Sequence, residues 1–156
     1  MLLSATAQKL QEVGVQTLGV VASTPERTRL YFRFRPPRFP LGADPDLATH
    51  RTYGLPNVPI TDEVWQAARV AAAKELGGKV PATEAYEVLG RFDGYQVAEP
   101  DQAELQRHQG QLTGQFLVNE HGIVTWAYVE CARNGLAGID QFHSDEELLA
   151  AARALR

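Results

Sequence analysis

The chain has a single cysteine, Cys131, among 156 residues. One thiol excludes an intrachain disulfide and a thiolate zinc cluster, and it suits a reducing compartment, so a cytoplasmic location is expected. No stretch reaches the ~20 apolar residues of a membrane span, and neither a basic n-region nor a cleavage site follows Met1. A dominant charge is lacking too: fifteen Lys and Arg against nineteen Asp and Glu give a net charge of -4, interspersed along the sequence. That balance argues against nucleic acid or an anionic membrane as main partner. His50, His108, His121 and His143 are far apart and form no H-x-x-x-H pair, so no metal site is expected; His121 in a turn and His143 before a helix cap read as solvent positions. Gly77-Gly78 follows a helix instead of preceding one, the wrong side for a phosphate, and no cofactor is expected.

What is present is a segmented α/β pattern, read as one domain over residues 1–156. Leu3, Leu10 and Val13 share one helical face over residues 2–13, and Gly14 supplies the left-handed residue that ends the helix. Residues 15–22 then read as a strand with apolar side chains on both faces, which suits a strand covered on both sides. Ser23-Thr24-Pro25-Glu26 opens a helix with a hydroxyl cap, a proline at its first position and a Glu three residues after Ser23. This helix should end before Pro36-Pro37. Phe39-Pro40-Leu41 and Asp44-Pro45-Asp46 read as turns, and a short helix closes on Tyr53-Gly54-Leu55; Asp44, Asp46 and Asp62 read as caps.

Beyond Leu55 lies a helical insertion of about residues 57–110. Thr61-Asp62-Glu63 caps a helix with Trp65, Ala68, Ala72 and Leu76 on one stripe, stopped by Gly77-Gly78. Residues 82–89 offer a second helix, Asp93-Gly94 a turn, and residues 101–109 a polar third helix. Trp65, Tyr86, Phe92 and Tyr95 give the insertion apolar surface to pack, as a lid or dimerisation element. A β-hairpin follows, from Phe116-Leu117-Val118 through the turn Asn119-Glu120-His121-Gly122 to residues 123–130, with Val124, Trp126 and Tyr128 on one face. Ser144 to Glu147 is a capping box for the last helix, which buries Leu148, Ala151, Ala152 and Leu155 and places Arg153 and Arg156 at its dipole's negative end.

The order of an apolar run, a capped helix, F-P-L, D-P-D, Y-G-L, a hairpin and a helix resembles the redoxin branch of the thioredoxin fold, the peroxiredoxins of the alkyl hydroperoxide reductase and thiol-specific antioxidant type. The resemblance covers about residues 2–55 and 111–156. It implies an α/β three-layer sandwich and a thiol-dependent antioxidant oxidoreductase, with a thiol reductant or another protein as partner. In that family the reactive cysteine precedes the segment matching Gly14-Val15, whereas this chain opens inside that helix, so the first strand and the catalytic loop are expected to be missing. The family's arginine or cis-proline run entering the hairpin matches Thr113-Gly114-Gln115-Phe116. Thr113 and Gly114 thus stand at the family pocket without its arginine or proline.

Cys131 is then the remaining candidate nucleophile. A reactive thiol needs cations or a helix N-terminus beside it, whereas a small apolar residue at a strand end needs neither. With Glu130 before it and Arg133 after it, the sequence leaves both readings open. Two functions follow: a redoxin-like protein without peroxidase activity in this form, or a non-catalytic binding or assembly module. Without its first strand the sheet is expected to close by direct pairing of 15–22 with the hairpin, by a strand from a second chain, or by a segment upstream of Met1; a homodimer is the expectation.

Overall fold

The computed structural model describes residues 2–34, 36–94 and 98–155. The side chains of Leu3 and Phe92, together with Tyr95 and Arg156, lie outside the described residues. The chain forms two compact units, one of residues 1–54, 114–129 and 142–156 and one of residues 55–113 and 130–141. The expected insertion falls within the second unit, which also takes in the loop after the hairpin.

In the first unit α1 (Leu2–Glu12) ends at Gly14, whose φ of +84° is the left-handed conformation expected there. Helix α2 (Pro25–Phe34) stops before Pro36-Pro37 as expected, and its first turn is capped by Thr24, whose Oγ1 accepts from the Arg27 N–H at 3.3 Å. The strand between them is shorter than the sequence implies. β1 is only Gly19–Val21, and it pairs in parallel with β2 (Leu41–Ala43), so Leu41, read as part of a turn, belongs to a strand. Among the described residues β1 does not pair with the hairpin: β1 bonds to β2, and the hairpin forms its own two-stranded sheet. Coverage on both faces fails as well, since Leu18 is 66% exposed and Val20 is exposed. An apolar run signals burial only when an element exists to cover it, and among the described residues Leu18 and Val20 stay exposed.

The hairpin pairs β3 (Gly114–Val118) with β4 (Val124–Val129) in antiparallel register, with an irregularity at Leu117/Val118, and Gly122 takes φ +77° in its turn. Asn119 Oδ1 accepts from the N–H groups of His121 and Ile123, which fixes the turn. The last helix, α3 (Asp145–Arg153), starts at Ser144, whose Oγ accepts from the Glu147 N–H. Its Leu148 and Ala152 join Leu10 of α1 and Leu117 of β3 in the buried core of the unit, with Trp126 packed against it. Asp145 ties the two helices at their polar side, accepting from Thr6 Oγ1 at 2.7 Å and Lys9 Nζ at 2.5 Å.

The second unit is mainly helical. α4 (Asp62–Glu75) is capped by Thr61 and ends before Gly77 and Gly78, both at positive φ. α5 (Ala85–Asp93) begins and ends later than the segment 82–89, and α6 (Glu99–His108) begins two residues before 101. Of the α4 stripe, Ala72 is buried while Trp65 is 36% exposed and meets Tyr86 edge to face at 6.2 Å. A short antiparallel pair joins Asn57–Val58 to Gly110–Gln111. Among the described residues no helix is long and apolar enough to cross a membrane.

Candidate functional site

Of the two residues that sequence reasoning placed at the family pocket, Thr113 is held by the carboxylate of Glu130. Thr113 ends the second unit's first segment, and Glu130 opens its second, directly after β4. The two exchange backbone and side-chain bonds: the Glu130 N–H donates to the Thr113 carbonyl at 3.0 Å, and Glu130 Oε2 accepts from the Thr113 N–H at 2.8 Å and from its hydroxyl at 3.1 Å. Glu130 Oε1 accepts from the Asp140 N–H at 2.8 Å. Three donors thus satisfy a carboxylate that is itself buried, the condition under which a buried charge is tolerated. Glu130 is a clamp that closes the loop 130–141 onto Thr113.

Inside that loop Cys131 sits at φ +62° and Asp140 at φ +55°, both in the left-handed region. The chain turns back at once, with the Gly135 N–H donating to the Cys131 carbonyl at 3.0 Å. Gly138 then approaches so closely that a Cβ there would lie 3.3 Å from Cys131 Cα. Cys131 is therefore not on the β4 face shared by Ala127 and Val129, as its position in the sequence suggested. It is half-buried, two residues beyond the strand end.

The charges that act on the Cys131 thiol are carboxylates, although Arg133 lies in the same loop. Burial pushes the Cys131 thiol up, and the carboxylates of Glu130 and Asp140 push it further in the same direction. Burial likewise raises Asp140, with Glu130 and Glu75 adding to it, and Tyr86 is raised first by burial and then by Asp140. An activated thiol has the opposite surroundings, with cations or helix dipoles drawing its pKa down. Thr113 has its hydroxyl committed to Glu130, and Gly114 stands in β3 opposite Val129, where it contributes backbone alone. The arrangement can hold a loop and shelter a thiol whose pKa is raised.

One histidine departs from expectation, and another is buried. His143 is not a solvent position: its side chain is 10% exposed, its ring stands edge to face with Trp126 at 5.0 Å and Tyr128 at 4.4 Å, and Nδ1 lies 2.6 Å from Glu147 Oε2. The spacing of four residues between His143 and Glu147 was the available signal. His50 is buried against Asp44, whose carboxylate also receives the first N–H groups of the short helix Ala48–Thr52. His121 is exposed, as expected. Among the described residues no group of three or more His, Cys, Asp or Glu is placed to hold a metal ion. No protein-family model, curated protein or solved structure matches this chain.

Proposed function

We propose that this chain is a redoxin-like domain of the thioredoxin type that acts as a binding or assembly module and does not reduce peroxides through its own thiol. Support for the redoxin-like part comes from the motif order, from the parallel β1–α2–β2 unit, and from the hairpin and last helix that follow it and share a core with α1. The observation that carries the non-catalytic part is the placement of Cys131, the chain's single thiol, beside Glu130 and Asp140. A peroxidatic reaction needs a thiolate, and two carboxylates on a half-buried thiol favour the protonated form. The partner on this reading is a second copy of the chain, through the edge of β1 that β2 leaves open.

The test is peroxide consumption by the purified chain with a thioredoxin or glutaredoxin reducing system. Turnover below ~1 s⁻¹, the low end for enzymes in general, is expected. Faster turnover that disappears in Cys131→Ser would replace the module by an enzyme working through this thiol.

A further inference from the structure

The overall charge of -4 conceals an asymmetry between the two units. The second unit holds eleven Asp and Glu against six Lys and Arg, a net of -5, while the first holds eight against nine, a net of +1. The expectation against polyanionic partners, drawn from the whole chain, therefore applies to the second unit alone. Within the first unit, five arginines fall between positions 27 and 38, and no carboxylate occurs from Arg27 to Ala43. Aromatic residues are interleaved with them, at Tyr31, Phe32, Phe34 and Phe39.

The fold sorts this run by side. Thr28 is buried, which turns the opposite side of α2 outward. On that side Arg29 and Arg33 are exposed at a spacing of four, and beside them Leu30 and Phe34 are exposed at the same spacing, Phe34 to 44%. Residues four apart on a helix are neighbours at about 5–6 Å between Cβ atoms, so the helix shows one basic and one apolar ridge side by side. Arg38, beyond the helix end, is exposed as well. Among the described residues no carboxylate pairs with Arg29, Arg33 or Arg38. The helix's own carboxylate, Glu26, lies in its first turn.

We infer that the outer side of α2 is a binding surface for single-stranded nucleic acid, with Arg29, Arg33 and Arg38 on successive phosphates and Phe34 as a platform for a base. This goes beyond the role proposed above and does not depend on it. Arginines along a track with an aromatic ring beside them are what sequence-independent single-strand binding requires, because every phosphate is an anion and every base has a stacking face. Guanidinium groups also meet phosphate oxygens in bidentate fashion and stack on rings, which lysine cannot do. An anionic membrane is a poorer fit, since Leu30 and Phe34 are only two side chains to insert and interfacial binding scales with apolar area. An acidic protein segment would satisfy the arginines but has no particular use for an exposed ring between them.

The experiment is fluorescence anisotropy of a labelled oligo(dT) or oligo(U) 15-mer titrated with the full chain at several salt concentrations. Saturable binding in the ~1–100 µM range is expected, weakening with salt at a slope of about -0.7 per phosphate engaged. Arg29→Glu with Arg33→Glu should weaken binding at least about tenfold and flatten that slope. Phe34→Ala should weaken it about fivefold with the slope unchanged, as loss of a stacked base would. Circular dichroism checks that each variant is folded, and Arg29→Gln with Arg33→Gln takes the place of the double charge reversal if that variant is not. Absence of saturable binding at low salt, binding indifferent to these substitutions, or tighter binding to phosphatidylserine vesicles or to a glutamate-rich peptide than to the oligonucleotide would each overturn the inference.

Discussion

Asp44 holds His50 by a 2.8 Å contact between Oδ2 and Nδ1, and the same carboxylate accepts the N–H groups of Ala48, Thr49 and His50. Burial pushes the Asp44 carboxyl up, but the hydrogen bonds from the His50 side chain and these backbone donors outweigh it, so its pKa lies below the ordinary 3.8. A carboxylate depressed in the folded state contributes stability that is complete above its unfolded pKa and is lost as pH falls through the folded value. Acid unfolding should therefore begin its Asp44-dependent part near pH 4. Asp44→Ala should cost on the order of 3 kcal/mol at neutral pH, from a lost cap of about 1 kcal/mol and a buried donor left unpaired at about 1–3 kcal/mol. Urea unfolding at pH 7 and at pH 3 checks both parts: the gap between wild type and variant should narrow at the lower pH.

Cys131 should behave as a thiol held in its protonated form. Alkylation by iodoacetamide is expected to be slow at pH 7 and to accelerate only above the ordinary thiol range, because burial, Glu130 and Asp140 all raise the pKa. Asp140→Asn removes one of those charges and keeps a residue type that tolerates the left-handed backbone there. The variant should react faster at a given pH. Its stability should also change with a definite sign: Asp140 is raised in the folded protein, so its unfavourable contribution grows as pH rises above the unfolded value of 3.8. Asp140→Asn is thus expected to raise the melting temperature at pH 7 and to have little effect at pH 3.

Glu130→Ala is the test of the clamp. It strands the Thr113 N–H, the Thr113 hydroxyl and the Asp140 N–H, which converge on one carboxylate in a buried position. Thr113 and Asp140 are themselves exposed, so water can replace part of what is lost, and a cost of about 1–3 kcal/mol is expected. Glu130→Gln retains both an acceptor and the volume and should lose less than half as much. Equal losses in the two variants, measured by urea titration, would show that packing and not acceptance by the carboxylate holds the loop.

Local chemistry made much of this fold legible. Gly14 at positive φ, Thr61 as the cap of α4, Gly122 in the hairpin turn and Ser144 before α3 each stand where their side chain or backbone freedom implied. The errors have a common cause. Residues 15–22 are apolar on alternate sides, but strand formation depends on a partner, and the partner present, Leu41–Ala43, covers three residues of one edge. The candidate site was half legible: Thr113 and Cys131 belong to one cluster, yet Glu130 and Asp140 join them by a loop reversal that no sequence period encodes. His143 was misplaced for a similar reason, since its shelter comes from Trp126 and Tyr128 on a strand fifteen to seventeen positions earlier.

The exposed edge of β1 gives the last prediction. In a strand alternate residues direct their backbone groups to opposite edges, and β2 takes those on one side through Gly19↔Leu41 and Val21↔Ala43. Among the described residues β1 bonds to β2 alone, and Leu18 and Val20 are exposed. No proline, lysine or other charge between Val15 and Ala22 guards this edge, which makes it a template for another strand. A symmetric pair of chains joined edge to edge would satisfy the free backbone groups of both copies. Sedimentation at micromolar concentration should therefore show a dimer of twice 17.2 kDa. Val20→Lys, which leaves the β1–β2 register possible but sets a charge at the open edge, should return the chain to monomer. A wild-type chain that stays monomeric and does not aggregate would exclude the edge-to-edge dimer, and a dimer indifferent to Val20→Lys would place the contact elsewhere.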